Sequence, residues 1–438
     1  MTVRAPEPVG QAKQIAPEDL KVLEKAVAQP RKYRFRSKFL LAAAIFTALN
    51  ALLTFFNPIS FDPYRFNYKG WAWWQFNELR QTTRISNIAF LGSSTMVSAL
   101  AGCDANHLQR GVDLTNHHRS IYFEDVLKKE YKGGDFESFS LASPGQMPSD
   151  AYITLKGMVA SASRPDIVFY GVAPRDFIDS TLTAPGDTDA FKYITRIVNI
   201  DDVASKVFRS LWSKLDWFGQ RNLYLYHHSI DFRMEFDGVT RNALAVLLPR
   251  PWTKTPFTWW DRQKLLPNYL PAEIHPDAVM AGPIDRKTAE AKYSDNTMEY
   301  RQRYSHPDIQ TYKTQMFFLR KIAEFCKKER IEFVVVNMPI SLENIALLKP
   351  GGYIGYLQGL REFGIRNNIS VYDLNDFSKF SRKDFHDTVH LNAFGGQKFL
   401  DNLVFSVKHD LKVNEIVSMA GEHLAKHKAI ATRPSVTF

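Results

Sequence analysis

Cysteine is nearly absent from this 438-residue chain, which has only Cys103 and Cys326. Two thiols cannot form a disulfide framework, and neither has companions at the spacing a zinc site requires. Cys326, within Phe325-Cys326-Lys327-Lys328, reads as a helix residue packing as a small apolar group. His117-His118 and His227-His228 lack acidic or thiolate companions at ligand spacing and read as surface or local hydrogen-bonding residues. No redox chemistry, metal or other cofactor is therefore expected. Internal repeats and low-complexity linkers are also missing. With 23% charged and 45% hydrophobic residues, the composition is that of a folded interior and excludes global disorder.

Acidic charge is in deficit, giving a formal net charge of +10, yet its distribution argues against a nucleic-acid groove. Arg4, Lys13, Lys21, Lys25, Arg31, Lys32, Arg34, Arg36 and Lys38 crowd the first 38 positions, opposed only by Glu7, Glu18, Asp19 and Glu24. Half of the excess thus lies in a tail, and no nucleic-acid partner is expected. The tail leads into an uncharged run at 39–56, roughly 18 residues long and near the minimum for a spanning helix. With the cationic flank on its N-terminal side, residues 1–38 are expected in the cytoplasm and the rest outside an inner or plasma membrane. A cleaved signal peptide is the competing reading. The long leader and the bulky exit Thr54-Phe55-Phe56-Asn57-Pro58, which offers no small-x-small cleavage site, favour a retained single-pass anchor.

The chain is longer than one ordinary core, so a main domain with a large elaboration is expected. Apolar strand-like runs alternate with helical patterns, as in a parallel sheet covered on both faces. Strands are expected at 87–91, 136–141, 166–170, 331–336 and 369–374, with helices at 123–131, 148–162, 311–330 and 393–407. The organisation that follows is a basic tail (1–38), an anchor (39–57) and a juxtamembrane linker (58–84). The first part of an α/β domain follows at 85–176, then an aromatic-rich insertion (177–309), the second part at 310–412 and a C-terminal tail (413–438). All eight tryptophans fall after the anchor (Trp71, Trp73, Trp74) or in the insertion (Trp212, Trp217, Trp252, Trp259, Trp260). Two readings stay open: the rings lean toward a bilayer or an integral-membrane partner, or they form the insertion's own core.

The chemistry centres on Asn87-Ile88-Ala89-Phe90-Leu91-Gly92-Ser93-Ser94-Thr95, where a buried strand ends at a glycine and delivers a serine hydroxyl to a sheet edge. A serine needs an imidazole to take its proton, and that imidazole needs an acceptor on its other nitrogen. Asp387-Thr388-Val389-His390 supplies both within one tight turn. Asp384 and His386 lie beside that pair and are the competing assignment. His390 is preferred because it leads into Leu391-Asn392-Ala393-Phe394-Gly395-Gly396, the entry to the closing helix. In an open parallel sheet, functional groups gather at the C-terminal ends of strands. Two further loops qualify, Ser143-Pro144-Gly145-Gln146 and Gly171-Val172-Ala173-Pro174-Arg175-Asp176.

Taken together, these motifs resemble the SGNH (GDSL-like) hydrolase superfamily over roughly residues 85–175 and 311–407. The resemblance implies a flavodoxin-like three-layer α/β fold with a parallel sheet, here carrying an N-terminal transmembrane helix and a large insertion. It implies Ser94 as nucleophile, His390 as general base and Asp387 as its orienting acid, with the Gly145 and Ser94 N–H groups forming an oxyanion hole. Two departures stand out. Ser93 occupies a position where the family often has Asp, and Ala173 or Pro174 stands in place of the third-block asparagine, leaving that donor missing or supplied by Arg175 or Gln146. Arg175 could equally pair structurally with Asp176. With its anchor, the chain resembles a narrower set: the D-alanyl transfer protein of teichoic-acid D-alanylation and the membrane-anchored or periplasmic proteins that O-acetylate exopolysaccharides such as alginate. This implies a multispanning O-acyltransferase partner, an acylated carrier, and a polysaccharide or teichoic-acid-like acceptor. Transfer to a sugar or to water, and an inactive tethered scaffold, all remain open.

Overall fold

The computed structural model describes residues 37–57, 62–65, 70–114, 116–161, 164–182, 185–186, 188–229, 232 and 280–431. Trp252, Trp259 and Trp260 lie outside these. The chain divides into two compact units, Met1–Pro58 with Leu223–Leu225, and Ile59–Asn222 with Tyr226–Phe438.

The first unit holds α1 (Lys38–Phe56), 19 residues and about 28 Å long at the α-helical rise. Ser37 caps its start, its hydroxyl accepting the Leu40 N–H, and Asn57 ends it in the left-handed conformation at φ 39°. Phe39, Leu41, Ile45 and Phe55 are exposed along its length. The helix is long and apolar enough to cross a membrane. Its one buried residue is Asn50, whose Nδ2 donates to Phe46 O at 2.8 Å and whose Oδ1 accepts the Leu225 N–H at 2.9 Å. A polar side chain in an apolar helix is thereby satisfied.

The second unit is built on β1 (Ile88–Gly92), β3 (Ser138–Ser140), β4 (Ile167–Val172), β6 (Glu332–Asn337) and β7 (Ser370–Asp373), all parallel in the order β3-β1-β4-β6-β7. Counting only these five, the order is 2-1-3-4-5, the flavodoxin-like arrangement. β2 (Val112–Asp113) and β5 (Met280–Ala281) form a separate antiparallel ribbon. Because side chains alternate across a strand, Ile88 and Phe90 join one core, and Ala89 and Leu91 the other. The first core is closed by α3 (Ser94–Leu108), α4 (Ile121–Glu130), α10 (Ala393–His409) and α11 (Leu411–Ala431). The second is closed by α2 (Trp71–Gln81), α5 (Pro148–Ala160), α8 (Ile309–Glu329) and α9 (Gly352–Asn367). The expected α/β sheet with both faces covered is the observed one.

Three of the expected segments contribute side chains to the two cores. Within the expected linker, α2 buries Trp73, Phe76 and Leu79 in the core against the sheet. Within the expected C-terminal tail, α11 places Val413 and Val417 in the opposite core. The 177–309 insertion is integral to the unit where it is described: Phe191, Ile194, Val203 and Val207 belong to the α2/α5 core. None of these stretches has the clean apolar period that marks the sheet strands, so their burial follows from partners that local spacing does not record. The tryptophans divide likewise. Trp73 is core, Trp71 and Trp74 pack against core residues, Trp217 stacks on Phe208, and Trp212 is exposed.

Candidate active site

Ser94 is the first residue of α3, where the sequence suggested a loop. Its position depends on Gly92, which sits at φ +153° with the place of a Cβ only 2.7 Å from Met96 Cβ and 3.0 Å from Gly171 O. No larger residue could end the strand there and let the helix start so abruptly. The first N–H groups of a helix have no intrahelical partner, so the Ser94 amide is among those available at the positive end of α3. The Ser93 carbonyl accepts the Met96 and Val97 N–H groups, and its hydroxyl lies 3.2 Å from that of Thr95.

The second loop delivers its groups through a different device. Asp387 Oδ1 accepts the N–H groups of Val389 and His390, each at 2.8 Å, which folds the Asp-x-x-His turn. The strand-like bridge of Phe385 with Leu391 and the His386 N–H to His390 O bond of 2.7 Å close its base. Asn392 then caps α10, its Oδ1 accepting the Phe394 and Gly395 N–H groups.

These two loops meet. His390 Nε2 lies 2.7 Å from Ser94 Oγ, and His390 Nδ1 lies 2.6 Å from Asp387 Oδ2. A carboxylate can only accept, so Nδ1 carries the proton and Nε2 is left to accept the serine O–H. Burial pushes the Asp387 carboxyl up. The hydrogen bond and charge of His390, with the two backbone donors, outweigh burial and hold it below its ordinary value. The competing pair is elsewhere: His386 is exposed, while Asp384 receives the Ser381 N–H and Lys398 Nζ, at 2.9 and 2.7 Å.

Ser143-Pro144-Gly145-Gln146 forms a β-turn closed by the Gln146 N–H to Ser143 O bond of 3.0 Å, with Gly145 at φ +78°. Proline followed by a positive-φ glycine is the type II pattern. The turn's own bond uses the amide of Gln146 and leaves that of Gly145 outside it. Gln146 is not an available oxyanion donor. Its Oε1 accepts the Gly92 N–H at 2.8 Å, and its Nε2 donates to Leu141 O at 2.8 Å and lies 3.4 Å from Ser143 Oγ. Its role is to tie the turn to the end of β1.

Arg175 is almost fully buried. Its Nε is 2.7 Å from Asp179 Oδ2, and Nη1 is 3.5 Å from Asp176 Oδ1 without forming a hydrogen bond. Its Nη2 approaches to 3.6 Å the point where a Cβ on Gly145 would stand. The arginine is thus held by Asp179 through Nε and faces Asp176 through Nη1, while Nη2 lies beside the Gly145 turn. Ala173 and Pro174 offer no side-chain donor, and the Ala173 N–H is occupied by Asp176 Oδ2 at 2.9 Å. Burial pushes Asp176 up to about 6 against the opposing charge of Arg175. Burial does the same to Asp150, to about 6, against the hydrogen bonds it receives from the Met147 N–H and the Thr188 hydroxyl.

A set of supporting residues has no signal in the sequence. Asn296, just before α7 (Thr297–Arg303), accepts with Oδ1 both the N–H (3.1 Å) and the hydroxyl (2.5 Å) of Thr388. The same hydroxyl receives Asn344 Nδ2 at 3.0 Å. Tyr300 of α7 packs with Ala173 and Val389, and Arg303 Nη1 reaches Asp179 Oδ2 at 2.6 Å. The end of the insertion thus fixes the His390 loop and the Arg175 loop together. It comes from a stretch of mixed polarity, so only a partner more than 90 residues away along the chain reveals it.

Cys103 and Cys326 are buried and unpaired, and burial pushes both thiols well up. Among the described residues, no three His, Cys, Asp or Glu side chains are grouped to hold a metal ion.

No family model matches the chain, and no curated protein matches it. Among solved structures, it is similar to a Bacteroides fragilis protein described as a "putative acylhydrolase", at 9% identity and a TM-score of 0.33, over 80% of this chain and 99% of that one.

Proposed function

We propose that this chain is a membrane-anchored serine acyltransferase or esterase that works through an acyl-serine intermediate. The observation that carries the reading is the continuous relay from Ser94 Oγ through His390 to Asp387, at 2.7 and 2.6 Å. In the first half-reaction, Ser94 Oγ attacks the acyl carbonyl carbon while its proton passes to His390 Nε2. The oxyanion is met by the Ser94 and Gly145 N–H groups, each donor worth about 3 kcal/mol in the transition state. Collapse breaks the bond to the carrier, whose leaving group takes the proton from His390. In the second, His390 removes a proton from an acceptor hydroxyl as it attacks the acyl-serine carbonyl, and returns that proton to Ser94 Oγ as the acyl–oxygen bond breaks. A sugar hydroxyl as acceptor makes the protein a transferase, and water makes it an esterase.

The envelope setting of the proposal rests on α1, apolar enough to cross a membrane, and on the basic residues preceding it, which favour a cytoplasmic N-terminus and an extracytoplasmic catalytic unit. A multispanning O-acyltransferase partner, an acylated carrier and a polysaccharide or teichoic-acid-like acceptor belong to the same proposal. The competing reading, an inactive tethered scaffold, is favoured by the absence of a third-block donor at Ala173 and Pro174. A fluorophosphonate probe separates the two. Wild type should be labelled and Ser94→Ala should not, and well-folded wild-type protein that stays unlabelled in its native membrane would favour the scaffold.

A further inference from the structure

The helix α6 (Leu211–Asn222) has two apolar sides with different fates. On one, Trp217 stacks on Phe208 with centroids 4.8 Å apart and packs against the sheet core. On the other, Leu211, Trp212, Leu215 and Phe218 are 71, 79, 51 and 61% exposed. Leu211, Leu215 and Phe218 follow the i, i+4, i+7 spacing of a single stripe, with Trp212 at its border. A contiguous apolar stripe open to water marks a surface that something covers.

Two observations say what covers it. The chain passes from the end of α6 directly into Leu223–Leu225, a segment that belongs to the compact unit of α1. There the Leu225 N–H is bound to Asn50 within the apolar helix. Covalent continuity therefore tethers α6 to the part of the chain suited to a bilayer. The charge around the stripe has the matching sign: Lys206, Arg209 and Lys214 stand against Asp216, with Arg221 paired to Asp201. Exposed aromatics with a basic border are the pattern of a helix that lies in a membrane interface and is attracted to anionic headgroups.

We propose that the Leu211/Leu215/Phe218 face of α6 is seated in the interfacial layer of an anionic lipid bilayer. The proposal rests on α1 being a membrane anchor, as in the function proposed above, but does not depend on acyl chemistry at Ser94. In this position α6 would fix a second point of the catalytic unit on the membrane in addition to the anchor.

The test uses the full chain in nanodiscs of phosphatidylcholine and phosphatidylglycerol, without any partner protein. Nitroxide labels are placed singly at Leu215→Cys and Phe218→Cys, with Gln220→Cys on the opposite side of α6 and Ile45→Cys on α1 as references. The native cysteines are buried, so the introduced ones carry the label. Collision with oxygen should exceed collision with a water-soluble nickel reagent at positions 215, 218 and 45, and the order should reverse at 220. Position 45 in lipid with 215 and 218 as open to nickel as 220 would overturn this proposal while leaving the anchor intact. Position 45 in water would overturn the anchor and this proposal together. Protection of 215 and 218 only after a multispanning protein is added would assign the face to a protein partner and overturn the lipid assignment. Fluorophosphonate labelling of Ser94, measured on the same samples, reports separately on the acyl chemistry.

Discussion

The two ends of β1 use their polar side chains in opposite ways. At the start, Asn87 donates from Nδ2 to Asp135 O and Ala420 O, both at 3.1 Å, and accepts the Glu137 N–H on Oδ1 at 3.0 Å. One amide joins β1, the segment leading into β3, and α11, with both of its donors used. At the other end, Ser94 Oγ faces His390, and Tyr170 Oη, Arg175 Nη1 and Asp176 Oδ1 on and after neighbouring β4 are buried without a hydrogen-bond partner. Paired buried groups stabilise, whereas buried groups short of a hydrogen bond are costly; Arg175 Nη1 and Asp176 Oδ1 meet only as an ion pair at 3.5 Å. Asn87 thus serves stability at one edge of the sheet, while the candidate site lies at the other.

Ser94→Ala offers the largest effect with which to break that division. Turnover and fluorophosphonate labelling should fall by roughly 10⁴-fold or more, with the thermal midpoint unchanged; a large loss of stability would show that the site edge also carries the fold. Asp387→Asn should cost about 10⁴-fold by leaving His390 in the wrong tautomer.

Asn296→Ala tests the support of the site, because Asn296 Oδ1 accepts from the Thr388 N–H and hydroxyl. Loosening the Asp-x-x-His turn should lower kcat by about 10²-fold with little change in KM. Asn296→Asp, which keeps the acceptor, should recover part of the loss. Failure of the aspartate to rescue would mean the amide does something other than accept from Thr388.

Asn87→Ala is the converse experiment. Leaving the Glu137 N–H and two carbonyls unpaired should cost about 3 kcal/mol in denaturant unfolding, while kcat per folded molecule stays at the wild-type value. A fall in kcat would couple the two edges.

The smallest effect is on pH. Asp150 and Asp176, at about 6, lie above the unfolded value of 3.8. The stability they contribute is full below the unfolded value and is lost as pH rises through about 6. Stability should therefore decline by on the order of 2 kcal/mol for each of the two carboxyls between about pH 4 and pH 7, and Asp176→Asn should reduce that slope. Asp387, held low, acts in the opposite sense: its contribution is present above the unfolded value and lost as pH falls through its folded pKa. An unaltered slope in Asp176→Asn would show that this carboxyl is not the titrating group.

Legibility followed the same division between local and distant causes. The central strands β1, β4 and β6 were readable because both of their faces are buried, which leaves runs such as Ile167–Val172 almost without polar residues. Ser94, Asp387 and His390 were readable as candidates because a strand-glycine-serine junction and an Asp-x-x-His turn are short-range devices. The choice between Gln146 and Arg175 as a further donor stays open in the sequence because nothing near Gln146 shows that Leu141 and Gly92 bind its amide. The helix at Trp71–Gln81 and the closing α11 were missed because their apolar residues are spaced to fit a core assembled from distant strands.

What the sequence by itself determined is the apolar helix at 38–56, the strand pattern of the sheet, and the residue types from which the relay is made. Only the tertiary structure decided that Ser94 and His390 meet, that Asn296 and Arg303 hold the loops around them, and that the Leu211/Leu215/Phe218 stripe stays uncovered. The physical reason is that spacing along a chain records which faces must leave water. Which side chain completes a hydrogen bond across nearly three hundred residues is settled by packing, when a closely approached glycine at 92 and a capped helix at 393 bring two turns to one edge.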